Sequence, residues 1–224
     1  MVSDGFLRWR EPVARALSRV IPGDVLWFAD TTEPVFALTF DDGPHPETTP
    51  QLLEVLRRHR ASATFFLIGE RVAAYGELVE QIVADGHEIA NHLMRDERSA
   101  FIGDERFRQD LAEVSRMLAR YGPVRWFRPG SGVFTPRMLR SAAEINLRAV
   151  LGTLVAGHTG GPADEAIAGH LLASIRPGSI VVLHEGTAQR SGVAATTDDL
   201  LTALAARGPT AVTVSDLVRD RRIR

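Results

Sequence analysis

The feature that most constrains this chain is a repeated alternation of short apolar segments with longer amphipathic ones. Val35–Phe40, Ala63–Ile68, His87–Asn91, Val124–Phe127, Leu147–Leu151, Ser179–Leu183 and Ala211–Val214 read as strands. Between them, Thr48–His59, Tyr75–Ala84, Arg106–Tyr121, Pro136–Ile145, Ala163–Ile175 and Thr197–Ala206 carry apolar residues at helical spacing. Strands this short and this continuously apolar are buried on both faces, which predicts a parallel sheet covered by helices. The class is α/β. Periodicity alone allows either a closed barrel or an open doubly wound sheet, and in both the chemistry belongs at the C-terminal ends of the strands.

The 224 residues suffice for one domain with one shared core. A net charge of −2, with both signs mixed along the chain, gives no field that would recruit nucleic acid. The absence of cysteine excludes disulfides, thiolate metal ligands and a cysteine nucleophile. No apolar run is long enough to span a membrane. Ahead of the alternating region, Phe6, Trp9, Val13, Leu17, Val20 and Ile21 predict one amphipathic helix, so residues 1–30 read as an extension and 31–224 as the domain. Its arginine-bearing face leaves two readings, peripheral membrane contact and a helix flanking the domain. Asp4 and Glu11 weaken the basic face and favour the second. Arg8, Arg10, Glu11, Arg15 and Arg19 interrupt any signal-peptide core, so a chain beginning here is expected to be cytoplasmic.

Polar residues collect at the strand ends. The first strand runs into Asp41-Asp42-Gly43-Pro44, the third into Asn91-His92-Leu93-Met94-Arg95-Asp96, the fourth into Arg128-Pro129-Gly130-Ser131-Gly132, and the sixth into His184-Glu185-Gly186. Adjacent carboxylates repel unless a cation or proton lies between them, although an Asp-Asp-Gly-Pro turn with solvated acids is also ordinary loop chemistry. His92 and Asp96 stand four apart; on one helical turn they would face the same way and could share a divalent ion with a carboxylate from the first strand. Three protein ligands and an open position describe a catalytic metal site.

Ala37-Leu38-Thr39-Phe40-Asp41-Asp42-Gly43-Pro44, then Ala63-Thr64-Phe65-Phe66, Gly86-His87-Glu88-Ile89-Ala90-Asn91-His92, and Leu183-His184 occur in the order of one family's motifs. From about Val35 to Val214 the chain resembles the polysaccharide deacetylases, the NodB-homology or carbohydrate esterase 4 family. The resemblance implies a single-domain, distorted (β/α) barrel of about seven strands and a metal-dependent hydrolase that removes N-acetyl groups from an amino-sugar glycan. It implies Asp41 as general base, Arg128 as the residue that holds Asp41, and His184 as general acid. It further implies Asp42, His92 and Asp96 as ligands of one divalent ion, zinc first, with cobalt, manganese or nickel as alternatives. The backbone amide of Ser131 is the expected oxyanion donor.

Three positions depart from the family pattern. Asp96 stands where a histidine is usual, which makes the expected donor set harder and more anionic. Gly130-Ser131-Gly132 replaces an aromatic wall. Val155 stands near the place of the acid that orients the catalytic histidine, so His184 needs another partner; Glu185, Asp198, His158 or a backbone carbonyl are the alternatives. A non-sugar amide as substrate, and a binding-only protein, are the competing functional readings.

Overall fold

In the computed structural model, residues 25–157, 166–206, 208–219 and 222–223 are described. The expected N-terminal helix through Ile21 and His158 lie outside them.

The chain runs β1 (Val25–Leu26), β2 (Ala29–Asp30), β3 (Val35–Gly43), α1 (Thr48–His59), β4 (Thr64–Leu67), α2 (Gly69–Ala74), α3 (Gly76–Ala84) and β5 (Glu88–Asn91). It continues through α4 (Asp104–Leu118), β6 (Trp126–Phe127), α5 (Pro136–Glu144), β7 (Arg148–Val150), β8 (Leu154–Val155) and α6 (Ile167–Ser174). It closes with β9 (Ile180–His184), α7 (Val193–Ala205), β10 (Thr210–Val212), α8 (Val214–Val218) and β11 (Arg222–Ile223). One parallel sheet takes the order β1-β7-β6-β5-β4-β3-β9-β8, with β10 also paired to the start of β3. The sheet curls into a partial barrel, and among the described residues β1 and β8 do not pair to close it.

All seven expected strands are present, with the one at Val124–Phe127 shortened to Trp126–Phe127. The boundary drawn at residue 30 moves. Val25–Leu26 pairs with Ala149–Val150, and Ala29–Asp30 pairs antiparallel with β11, because the apolar run Val25-Leu26-Trp27-Phe28 is buried in the sheet's own core. The helix expected from Thr197 starts earlier, at Val193, since the Thr197 hydroxyl donates to the Val193 carbonyl (2.7 Å) instead of capping.

β3 is the spine of the molecule. Phe36, Leu38 and Phe40 are fully buried against α1, α7 and β4, with the Phe40 and Phe65 rings 5.1 Å apart. Burial of one such side chain contributes roughly 1.5–3 kcal/mol. Register then sets the site: Asp41 lies opposite His184 across β3–β9, and Asn91 lies opposite Phe127 across β5–β6. The residues that follow Asn91 and Phe127, His92 and Arg128, therefore emerge side by side at the same end of the sheet.

Candidate active site

Adjacent side chains on a regular strand point to opposite faces, so Asp41 and Asp42 would not normally serve one site. Here β3 slips register between Asp41 and Gly43, and Asp42 adopts a left-handed φ of 71°. Such a bulge re-aims a side chain. Arg71 holds it by donating to the Asp42 carbonyl. Gly186, at φ 91°, is required alongside: a Cβ there would lie 1.8 Å from Arg71 Nη1 and 2.4 Å from the Asp42 carbonyl oxygen.

Asp41 is buried and pairs with Arg128 Nη1 at 2.5 Å. The guanidinium is itself fixed. Nη1 also donates to Thr39 Oγ1 (2.9 Å), Nε donates to the Val150 carbonyl (3.1 Å), and the group lies 3.9 Å from the centroid of the Phe66 ring. An arginine so restrained presents one oxygen of Asp41 to itself and leaves the other to the cavity. That second oxygen, Oδ2, faces His184 Nε2 at 4.0 Å.

His184 Nδ1 lies 2.9 Å from the Ala156 carbonyl, which can only accept, so Nδ1 carries the proton and Nε2 is the nitrogen that faces Asp41. The backbone carbonyl thus replaces the missing acid, and Val155 lines the cavity where that acid was expected. Glu185 turns away to accept from Thr48 and Thr49. Asp198 lies outside, paired with His59 and Arg58.

Asp42 Oδ1 stands 3.1 Å from His92 Nε2. His92 Nδ1 donates to the Arg128 carbonyl (2.8 Å), so an unprotonated Nε2 would direct its lone pair at a carboxylate. Two acceptors at that distance require a proton or a cation between them. Burial alone would lower the His92 pKa, but the charge of Asp41 and the hydrogen bond and charge of Asp42 outweigh it and raise it. Burial likewise opposes ionisation of Asp42, yet His92, His184 and Arg190 together hold it well below the usual carboxylate range. The pair fits a divalent ion. An imidazole nitrogen and a carboxylate oxygen are both ordinary ligands of such an ion, and the carbonyl on Nδ1 fixes the ligating tautomer.

Asp96 is exposed on the rim of the same cavity. The helical turn expected to align it with His92 does not form. Asn91 Oδ1 accepts from the Leu93 amide (2.8 Å), Leu93 takes a left-handed φ of 65°, and the Leu93 and Met94 carbonyls accept from the first amides of α2. Those bonds use the carbonyls' hydrogen-bonding capacity between strands and helix, so the segment bends irregularly. Among the described residues, no three His, Cys, Asp or Glu side chains converge as a ready metal cluster.

Asp41, Asp42, His92, Asp96, Arg128, Ser131 and His184 nevertheless all line one cavity of about 360 Å³, together with an apolar wall of Trp27, Leu151, Val155 and Val182. Ser131 sits exposed at φ 64° in the short 3₁₀ turn Gly130–Gly132. The turn is seated by Ser99 Oγ, which accepts from the Gly130 amide (2.6 Å). Sequence reasoning missed Arg190, Arg71 and Trp27. Arg190 donates to Asp42 Oδ2 and to the Glu185 carbonyl (2.7 Å for the latter). A single arginine in a loop gives no periodic signal that would have found it.

Residues 28–150 match the family model for polysaccharide deacetylases. A peptidoglycan-N-acetylglucosamine deacetylase of Bacillus cereus is 35% identical over 201 residues, covering 88% of this chain and 94% of the relative. A chitooligosaccharide deacetylase of Rhizobium leguminosarum bv. phaseoli is 36% identical over 160 residues, 70% of each chain. Among solved structures, the Bc1960 peptidoglycan N-acetylglucosamine deacetylase, crystallised with 4-naphthalen-1-yl-N-oxidanyl-benzamide, superposes with a TM-score of 0.80 at 26% identity, covering 88% of this chain and 93% of that one. The matched segment carries six of the seven cavity residues singled out above, with His184 beyond it, and the chain belongs to the polysaccharide deacetylase family.

Proposed function

We propose that the protein hydrolyses the N-acetyl group of an amino-sugar glycan, with peptidoglycan and chitooligosaccharides as the substrate classes and with one divalent ion as cofactor. The observation that carries this reading is the opposition of a restrained carboxylate and a restrained imidazole, Asp41 Oδ2 and His184 Nε2, across 4.0 Å of one cavity. A base and an acid so disposed can act on the two ends of a single amide bond.

Asp42 and His92 would hold the ion, and Asp96 would complete the set from the rim. A bound divalent ion, zinc first, lowers the pKa of a water molecule and polarises the amide carbonyl. Asp41 accepts the proton of the attacking water; Arg128 keeps its carboxylate aimed. The Ser131 amide donates to the oxygen on which negative charge develops. His184, protonated at Nε2, gives that proton to the departing amine, while the Ala156 carbonyl keeps Nδ1–H in place. The apolar wall of Trp27, Leu151 and Val182 suits a methyl group and favours acetyl over charged acyl groups.

The test is amine release from N-acetylglucosamine oligomers and from peptidoglycan, measured with metal-stripped protein and after adding zinc or cobalt. Metal-dependent release on either glycan supports the reading. No release from either, with turnover of a small non-sugar amide, would move the substrate class and leave the site assignment standing.

A further inference from the structure

The carboxylate of Asp42 has two oxygens with different neighbours. Oδ1 faces His92 Nε2 at 3.1 Å, and Oδ2 accepts a short, charge-assisted hydrogen bond from Arg190 Nη1. Arg190 closes the 3₁₀ turn Ala188–Arg190 after β9, lines the cavity, and is partly exposed there, at 23% of its side chain. Among the described residues its side chain bonds only to this oxygen and to the Glu185 carbonyl. One bond is to the site's own carboxylate and the other to the backbone just after β9.

Cavity charges make the placement informative. Asp41, Asp42 and Asp96 bring three carboxylates to one cavity, and Arg128 is committed to Asp41. Arg190 is the guanidinium committed to Asp42. A carboxylate behind a metal ligand raises that ligand's basicity; a guanidinium does the opposite, because it competes for the same electron density.

We infer that Arg190 is a positioning residue that turns Asp42 Oδ1 toward the bound cation and, by its charge, weakens Asp42 as a donor, so that the site holds its ion less tightly and the ion stays more electron-withdrawing. This rests on the reading of Asp42 as a metal ligand. It assigns the loop after β9 a part in setting metal affinity, which no periodicity in the sequence betrays.

The experiment measures zinc and cobalt affinity by chelator competition on metal-stripped wild type, Arg190→Gln, Arg190→Lys and Asp42→Asn. Arg190→Gln keeps a hydrogen-bond donor and removes the charge, and it should bind zinc roughly tenfold tighter. Arg190→Lys keeps the charge and should bind within about twofold of wild type. Weaker binding in Arg190→Gln, or unchanged affinity, overturns the inference. Tighter binding in Arg190→Lys by as much as in the glutamine variant would overturn the charge argument. Asp42→Asn separates the two levels: if it keeps wild-type affinity, Asp42 is not a ligand, and the metal assignment falls whatever the Arg190 variants do.

Discussion

Replacing Glu185 with glutamine should change how stability depends on pH, and the size of the change follows from the site. Glu185 is fully buried behind β3; Oε2 accepts from Thr48 Oγ1 (2.9 Å) and Thr49 Oγ1 (2.7 Å), while Oε1 has no partner among the described residues. It fits only because residue 43 is glycine, since a Cβ there would fall 2.0 Å from Oε1. Burial pushes its pKa up from the usual 4.5 to about 7, against the partial relief of the two threonine hydroxyls and of the Arg71 charge. The folded state therefore binds this proton more tightly than the unfolded chain. Its contribution to stability is full below pH 4.5, declines between 4.5 and 7, and is lost above 7. That difference corresponds to about 3 kcal/mol. Glutamine keeps an acceptor for the threonines and cannot ionise. Whatever constant offset its amide introduces, the stability of Glu185→Gln relative to wild type should rise by about 3 kcal/mol between pH 4.5 and 8. Urea unfolding at several pH values, with m unchanged, measures this. A difference independent of pH, or one that falls as pH rises, would refute the reasoning.

Three further outcomes are expected. Asp42→Asn should lose metal on dialysis, while Asp41→Asn should retain it and lose turnover; elemental analysis beside an amine-release assay separates the two acids, and metal loss from the Asp41 variant alone would reverse their roles. His184→Ala should bind metal normally and lose roughly 10²–10⁴-fold in kcat; a wild-type rate would mean that the leaving amine takes its proton elsewhere. His87 is buried beside Phe65 at the start of β5, with both ring nitrogens unpartnered among the described residues, and burial pulls its pKa from 6.5 down to about 4. Its folded-state pKa lies below the unfolded value, so stability is lost as pH falls from 6.5 toward 4. His87→Leu should remove about 3 kcal/mol of that acid sensitivity in the same unfolding series, and an unaltered acid limb would count against it.

The strands were legible because strands buried on both faces leave uninterrupted apolar runs, as in Ala63–Ile68 and Ser179–Leu183. β1 and β8 were not, because two residues carry no period; Val25–Leu26 also follows a segment of helical spacing, which drew the boundary too far along. At the site, Asp41, Asp42, His92, Arg128 and His184 were legible as polar residues at strand ends. The bulge that brings Asp41 and Asp42 to one side was not, because it depends on Arg71 and on the space at Gly186, both remote in sequence. The spacing of His92 and Asp96 suggested a helical turn. Asn91 overrode it by accepting from the Leu93 amide, a local side-chain-to-backbone bond that apolar spacing does not reveal.

The partner of His184 shows the same limit with a consequence for chemistry. A side-chain acid is visible in sequence; a carbonyl belongs to every residue and is not. Ala156 occupies its place because its amide donates to the Val182 carbonyl (2.9 Å) as β8 runs beside β9, so the acceptor is as rigid as the sheet. The sheet therefore fixes the tautomer and orientation of His184 without a carboxylate. What the carbonyl does not supply is a countercharge for the imidazolium. The nearest carboxylate, Asp41, is already paired with Arg128 and stands 4.0 Å from Nε2, so it is the sheet, through the Ala156 carbonyl, that aims this nitrogen into the cavity.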